Sequence, residues 1–117
     1  MKVTLVLNDA PYGSEKAFNA LRLALFLQKR HPDLELRIFL LQDGPYCALI
    51  GQAPPDGFYN VEEMLKRVIQ GGAIVEACGT CAEARGLKNL QLIDGIKITS
   101  TRQLAEWTAD SDQVLTF

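Results

Sequence analysis

The sequence predicts an α/β domain with three layers, α/β/α, in which helices cover both faces of a five-stranded parallel sheet. Short apolar runs alternate with helix-prone segments five times along the chain. The clearest run shows little polar alternation, as expected for a strand that is buried on both faces. The chain has 117 residues, 48% of them hydrophobic, which is enough for one hydrophobic core. We therefore expect a single domain over residues 1–117.

The first strand and the first helix are clearly marked in the sequence. Residues 3–7 form a compact apolar run, and the loop over 8–13 leads to Ser14, a side chain suited to cap a helix. From 17 to 27 the helix is apolar almost all round, interrupted by Asn19 and Arg22. Because an ordinary surface helix carries one apolar stripe, the excess predicts that this helix also contacts another subunit.

The middle of the chain predicts a second strand, a turn and a second long helix. Residues 34–41 alternate and then become apolar, which suits a strand near a sheet edge, and 42–45 form a turn. A short helix over 46–51 carries Cys47, and the proline-containing segment 52–57 forms a loop. Asn60 followed by Glu63 predicts a capped helix N-terminus, and Gly71 ends that helix.

The last third of the chain holds a Cys-x-x-Cys segment between a strand and a short helix. Residues 73–77 form the strand, Cys78 follows it, and Cys81 opens a helix-prone stretch that ends at Gly86. Residues 87–94 favour no element, while 95–98 predict a short strand. Ser100 with Gln103 predicts another capped helix, and 114–117 predict a terminal strand.

The order of the strands decides which loops meet at the edge of the sheet. We expect the order 2-1-3-4-5, a flavodoxin-like arrangement with right-handed crossovers. Ligands of such sheets bind beyond the carboxyl ends of the strands, where the strand order reverses. The loop at Asn8 and Asp9 would then flank one crevice together with the loop at Cys78, and the turn at Asp43 would lie nearby.

The two cysteines of the Cys-x-x-Cys segment are the candidate catalytic residues. Unpaired N–H groups at a strand-to-helix junction favour the thiolate, so we expect Cys78 to be reactive and reachable from a cleft rather than merely packed. Cys81 has three open roles: it resolves a disulfide with Cys78, it changes the pKa of Cys78, or it packs. Gly79 between them allows close approach of a substrate or partner thiol.

Five other residues complete the candidate site. Arg85 either supports a thiolate and binds an anionic sulfur species, or pairs with the end of a short helix. Asn8, Asp9 and Asp43 follow apolar strands and are expected to line the crevice, so that with Gly79 and Arg85 they form the candidate substrate-binding set. Cys47 lies in a mostly apolar stretch, where a packed thiol is the favoured interpretation.

Composition excludes several other functions. The net charge of −2 and the lack of a basic tract argue against nucleic-acid binding, and no apolar run is long enough to cross a membrane. The polar residues soon after the start do not resemble a signal peptide, which predicts a cytoplasmic protein. Phosphate-loop glycine motifs are missing, His31 beside a proline is a poor catalytic base, and the cysteine spacing does not match structural zinc sites. We therefore expect no metal or organic cofactor.

The chain resembles the DsrE/DsrF-like sulfur-relay family, which includes sulfur-transfer subunits used in tRNA thiolation and sulfur oxidation. The resemblance spans the whole length and is most specific in the segment from Cys78 to Gly86, with weaker matches over 2–9, 41–44 and 109–117. It implies a DsrE-like α/β subunit that assembles into trimers or hexamers, that exchanges sulfur with donor and acceptor proteins, and that carries a persulfide at the position of Cys78. The second cysteine, Cys81, departs from some relay subunits.

Three functions follow from these observations. The first is a sulfurtransferase-like relay in which Cys78 carries sulfane sulfur as a persulfide. The second is a dithiol redox protein that uses Cys78 and Cys81, since this spacing recurs in disulfide-exchange proteins. The third is a non-catalytic, oligomeric binding module, which the doubly apolar first helix favours.

Overall fold

Five parallel strands form one sheet, and four α-helices and a short 3₁₀ helix connect them. The computed structural model describes residues 1–117. The strands are β1 (Lys2–Leu7), β2 (Glu35–Leu40), β3 (Ile74–Cys78), β4 (Lys97–Thr99) and β5 (Gln113–Thr116). The helices are α1 (Lys16–Arg30), the 3₁₀ helix (Gly44–Ala48), α2 (Val61–Gln70), α3 (Gly79–Ala84) and α4 (Thr101–Asp110). This confirms the predicted α/β fold with a five-stranded parallel sheet.

The order of the strands is β4-β3-β2-β1-β5, so the predicted order 2-1-3-4-5 is wrong. Successive strands from β1 to β4 are added in one direction, and the chain reverses once, when it returns to pair β5 with β1. Because parallel crossovers are right-handed, α1 and α2 lie together on one face and α4 lies on the other. The extra apolar surface of α1 is therefore partly covered by α2 of the same chain. The sequence predicted that another subunit covers this surface.

The main core lies between the sheet and the pair α1 and α2. It includes alternate residues of three central strands, such as Leu5, Ile38 and Val75, which pack against small and branched side chains of the two helices. A smaller cluster on the opposite face joins Phe39 of β2, Cys78 of β3 and Trp107 of α4. Burial on both faces of β2 explains its near-continuous apolar sequence.

Two of the three predicted capping residues, Asn60 and Ser100, occupy the cap position, and one of these two makes the capping hydrogen bond. The Asn60 side chain accepts a hydrogen bond from the Glu63 backbone N–H at 3.1 Å, as predicted. Ser100 occupies the cap position of α4 but makes no side-chain capping bond. Ser14 is not the cap of α1: Glu15 holds that position, and the Ser14 hydroxyl donates instead to Asp9 at 2.7 Å. None of the helices combines the length and hydrophobicity needed to cross a bilayer.

Candidate functional site

Cys78 ends β3 and caps α3, with apolar packing on one side and polar groups on the other. Its Sγ accepts a hydrogen bond from the backbone N–H of Cys81 at 3.4 Å and lies 3.3 Å from the Thr80 hydroxyl. Phe39 and Trp107 pack in the same cluster on the apolar side. The strand-end position predicted for Cys78 and the first-turn position predicted for Cys81 are both confirmed.

Hydrogen-bond donors, rather than a long helix dipole, set the pKa of Cys78. Burial disfavours its thiolate, but hydrogen bonds with the Cys81 thiol, the Thr80 hydroxyl, the Cys81 backbone N–H and the Thr101 side chain outweigh burial and lower the pKa. The helix α3 has six residues, too few for a large dipole, so the directly aimed donors carry the effect.

The Cys81 thiol is the partner that keeps the shared proton. Burial and the hydrogen bond to Cys78 raise the pKa of Cys81, against the backbone N–H of Gln42 and the positive charge of Arg85, which lower it. Two thiols that interact in this way release their protons in two separate steps, and each step belongs to the pair. The first step leaves one thiolate, which both sulfurs stabilise.

The two sulfurs lie at different depths. Cys78 is 1% exposed, whereas Cys81 is half-buried at the surface. The expectation that Cys78 is directly reachable from a cleft is therefore wrong for the isolated chain. The cause is the packing of α4 on this face of the sheet, where Trp107 of α4 joins Phe39 and Cys78 in one cluster.

Asp43 and Arg85 meet beside Cys81. The Arg85 Nε donates to Asp43 Oδ1 at 2.7 Å, and its Nη1 donates to the Cys81 carbonyl at 3.2 Å. The hydrogen bond that Arg85 donates to Asp43 raises the pKa of Arg85, so the guanidinium stays positive close to the thiols. The ion pair also joins the turn after β2 to α3, which brings the backbone N–H of Gln42 within 3.2 Å of Cys81 Sγ.

Asn8 and Asp9 follow β1 and make no side-chain hydrogen bonds to the Asp43 and Arg85 pair, because β2 separates β1 from β3. Asn8 contacts the site through the turn after β2, since its carbonyl accepts a hydrogen bond from the Asp43 N–H at 3.1 Å. Asp9 lies beside Cys47, whose thiol is 3.5 Å from the Asp9 carbonyl oxygen. The predicted single crevice between Asn8, Asp9 and Cys78 is therefore replaced by two neighbouring groups.

The space beside Gly79 is occupied by the sheet. A Cβ at this position would lie 2.9 Å from the Thr99 carbonyl and 3.3 Å from an Ile98 methyl. Gly79 thus allows α3 to approach β4, whereas the sequence suggested room for an incoming thiol.

Comparison with known proteins identifies the family. The DsrE/DsrF-like family matches residues 1–117. Protein YchN of Escherichia coli strain K12 is 45% identical over 116 residues, 99% of this chain and 98% of YchN. This chain belongs to the DsrE/DsrF-like family. The uncharacterized protein MJ0989 of Methanocaldococcus jannaschii is 43% identical over 117 residues, 100% of both chains.

Solved structures agree with this membership. The crystal structure of the Escherichia coli YchN protein has a TM-score of 0.95 at 45% identity, covering 99% of this chain and 98% of that chain. A protein of unknown function from Methanobacterium thermoautotrophicum shares the fold, with a TM-score of 0.74 at 12% identity, covering 99% of this chain and 98% of that chain.

Three residues near the thiols of this DsrE/DsrF-like protein escaped the sequence analysis. Thr80 lies inside the Cys-x-x-Cys segment, so its position was a usable signal. Thr101, the first residue of α4, helps to lower the pKa of Cys78, and nothing in its local sequence indicates this. Gln42 adopts a left-handed backbone conformation, with φ of 56°, which is unusual for a residue other than glycine.

Side chains suited to metal binding do not gather in this fold. No group of three or more His, Cys, Asp and Glu side chains is placed to hold a metal ion. His31 follows α1 and is exposed beside Pro32, at the end of the sheet opposite the cysteines. A cavity of about 390 Å³ is bounded by Tyr12, Tyr46 and Leu49.

Proposed function

We propose that this protein is a sulfur-relay protein that carries sulfane sulfur as a persulfide on Cys78. The observation that carries the proposal is the set of donors around Cys78 Sγ, which lowers the pKa of the thiol and favours the attacking thiolate. Membership in a family generally associated with sulfur relay supports the same chemistry.

The proposed reaction exchanges one sulfur–sulfur bond for another. In the net reaction, the terminal sulfur of a donor persulfide passes to the Cys78 thiolate, the bond between the two donor sulfurs breaks, and the donor leaves as a thiolate. A new bond joins Cys78 Sγ to the transferred sulfur, and an acceptor thiolate reverses the step. Atoms and charges balance between thiolates, so the reaction requires no metal or organic cofactor.

The candidate substrate-binding residues have distinct roles in this proposal. The Arg85 guanidinium attracts the anionic sulfur of the donor, and Asp43 orients it through their 2.7 Å ion pair. Asn8 holds the turn that carries Asp43, and the Asp9 carbonyl contacts the Cys47 thiol in the 3₁₀ helix that follows this turn. Gly79 lets α3 pack close to β4, which fixes the cysteine pair at the end of β3.

The proposal includes sulfur donor and acceptor proteins as partners, a homo-oligomer of three or six chains, and a cytoplasmic location. A reducing compartment keeps the thiols free for exchange. Phe26 of α1, 57% exposed, belongs to the apolar surface that supports an oligomer. A monomer in light scattering at micromolar concentration would contradict the oligomer and, with it, the alternative of an oligomeric binding module.

The test of the persulfide is the sulfur that remains after the donor has been removed. The reduced protein is incubated with glutathione persulfide, separated from it, treated briefly with glutathione, and its intact mass is measured. We expect one retained sulfur atom in the wild type and in Cys47→Ser, and none in Cys78→Ser. Equal retention by Cys78→Ser and the wild type would show that Cys78 is not the carrier.

A dithiol redox function is the second candidate, and the contact between the two thiols favours it. The backbone N–H of Cys81 donates to Cys78 Sγ at 3.4 Å, and the Cys81 thiol helps to lower the pKa of Cys78. Oxidation would remove two electrons and two protons and join the sulfurs as a disulfide. A redox titration in glutathione buffers measures this reaction, and the absence of any reversible Cys78–Cys81 disulfide removes the candidate.

A further inference from the structure

The sulfur that a relay would load lies behind another sulfur. Cys78 is 1% exposed, and the polar side of its Sγ is contacted by the Thr80 hydroxyl and the Cys81 backbone N–H. Cys81 is half-buried and lies between Cys78 and the exposed turn after β2. A donor protein that approaches the carboxyl end of the sheet therefore meets Cys81 first.

The Cys81 sulfur is held by a backbone donor in an unusual conformation. Gln42 has φ of 56°, and its N–H donates to Cys81 Sγ at 3.2 Å. Such a conformation persists where the surrounding structure enforces it. Here the neighbouring N–H groups are fixed on β1 and its loop, because Leu41 donates to the Leu7 carbonyl at 2.8 Å and Asp43 donates to the Asn8 carbonyl at 3.1 Å.

An ion pair fixes the same turn to the helix that carries Cys81. Arg85 donates to the Asp43 carboxylate at 2.7 Å and to the Cys81 carbonyl at 3.2 Å. The two contacts hold the turn and the first part of α3 in register. The Gln42 N–H therefore stays directed at the outer sulfur.

Building on the proposed function, we propose that sulfane sulfur enters at Cys81 and passes inward to Cys78, and that the Gln42 N–H is the positioning group for the outer sulfur. Two contacts support this order: the Gln42 N–H donates to Cys81 Sγ at 3.2 Å, and the Cys81 N–H donates to Cys78 Sγ at 3.4 Å. The same path in reverse delivers sulfur to an acceptor.

Each step balances without an oxidant or reductant. Proton exchange within the pair first gives the Cys81 thiolate, which attacks the terminal sulfur of the donor persulfide and releases the donor thiolate. The Cys78 thiol transfers its proton to Cys81 as it attacks the terminal sulfur of the new Cys81 persulfide. The bond between Cys81 Sγ and that sulfur breaks, a bond to Cys78 Sγ forms, and Cys81 becomes a thiol again. The less acidic thiol forms the more nucleophilic thiolate, which suits Cys81 to the first attack.

The order in which Cys81 and Cys78 gain sulfur is tested by the rate at which each becomes a persulfide. The identity of the carrier is tested separately, by the sulfur that each variant retains. Wild type, Cys81→Ser and Cys78→Ser are mixed with glutathione persulfide, quenched at short times with an alkylating reagent, and analysed by fragmentation of the peptide that holds both cysteines. We expect sulfur on Cys81 before Cys78 in the wild type, sulfur confined to Cys81 in Cys78→Ser, and loading of Cys78 slowed by about tenfold or more in Cys81→Ser.

Loading of Cys78 in Cys81→Ser at the wild-type rate would overturn entry at Cys81 and leave the proposed persulfide on Cys78 intact. Retention of sulfur by Cys78→Ser equal to that of the wild type would overturn the proposed carrier instead. Failure of the wild type to gain any sulfur would overturn both.

The role of Gln42 is tested with two substitutions that differ in backbone preference. Gln42→Gly keeps the N–H and adopts the left-handed conformation freely, whereas the β-branched side chain of Gln42→Val opposes it. In a Cys78→Ser background we expect Gln42→Val to slow loading of Cys81 several-fold and to move its pH profile to higher pH, and Gln42→Gly to behave like the parent. Equal rates and pH profiles for Gln42→Val and the parent would refute the positioning role.

Discussion

Cys47 and Cys78 are both buried near the carboxyl ends of neighbouring strands, yet their surroundings act on the thiol in opposite directions. The Cys47 thiol lies against the Asp9 carbonyl, and burial together with the Asp9 charge raises its pKa to about 12. Cys78 is equally buried but faces donors, which lower the pKa of its thiol. Burial raises the pKa of both thiols, and the comparison shows that the donors facing Cys78 are sufficient to reverse this effect.

The largest expected difference between the two sites is their rate of alkylation at pH 7. The pKa of Cys47 is raised to about 12, whereas the pKa of Cys78 is lowered, so that at pH 7 the thiolate is favoured in the Cys78 and Cys81 pair by about a thousandfold. The lower nucleophilicity of the more acidic thiolate offsets about 30-fold of this. We expect iodoacetamide to modify the pair at least about 30-fold faster than Cys47.

Peptide mass spectrometry of the reduced protein at several times measures both rates in one sample. The control is the same reaction in urea, where unfolding should make the rates equal within a few-fold. Labelling of Cys47 as fast as the pair in the folded protein would mean that the contrast between the two environments is absent in solution.

The local sequence predicted the position of each thiol but not its partners. A buried strand followed by Cys-x-x-Cys and a glycine was sufficient to place Cys78 at a strand end and Cys81 in a first helical turn, and a mostly apolar stretch was sufficient to predict that Cys47 packs. Both results rest on residues close in sequence, where periodicity and capping apply.

The rest depended on contacts between distant residues. The strand order depends on which helices pack on the same face of the sheet, and this packing joins residues far apart in the chain. The apolar surface of α1 packs on α2, but in the sequence the same surface fits contact with another subunit equally well. The left-handed Gln42 results from hydrogen bonds that its neighbours make to the end of β1, which no local pattern reveals. The burial of Cys78 likewise requires Trp107 from α4.

The contributions of Cys47 and Cys78 to the free energy of unfolding should change in opposite directions as the pH rises. The pKa of Cys47 is raised by folding, so its contribution is complete below the unfolded pKa of about 8.5 and is lost as the pH rises toward 12. We expect the wild type to lose about 1.4 kcal/mol relative to Cys47→Ala for each pH unit above about 9. Urea unfolding under reducing conditions at pH 7 to 10 measures the difference.

Cys78→Ala provides the opposite case in the same experiment. The pKa of Cys78 is lowered by folding, so its contribution is present above the unfolded pKa and is lost as the pH falls through the folded pKa. The wild type should therefore gain stability relative to Cys78→Ala as the pH rises toward about 8.5. Two differences that change in the same direction with pH would contradict the comparison.

A smaller effect is expected when one donor to Cys78 is removed. Thr80→Val replaces the hydroxyl that lies 3.3 Å from Cys78 Sγ with a methyl group of similar shape. Loss of a hydrogen bond of about 1 kcal/mol should raise the pKa of Cys78 and slow alkylation of the pair at pH 7 by about fivefold. Thr80→Ser keeps the hydroxyl and should retain the wild-type rate; a matching decrease in Thr80→Ser would assign the effect to packing.

The smallest expected change concerns the charge beside Cys47. Asp9→Asn removes the negative charge that is the second cause of the raised pKa, while burial, the first cause, remains. The pKa of Cys47 should fall but stay above its ordinary value, and alkylation of Cys47 at pH 9 should rise by about two- to threefold, because a charge at a partly solvated loop is strongly screened. Ser14→Ala, which removes the 2.7 Å hydrogen bond to Asp9 without removing the charge, is the matched control and should leave the pH profile of Cys47 unchanged. An equal rise in both variants would mean that loosening of the loop, and not the carboxylate charge, controls the reactivity of Cys47.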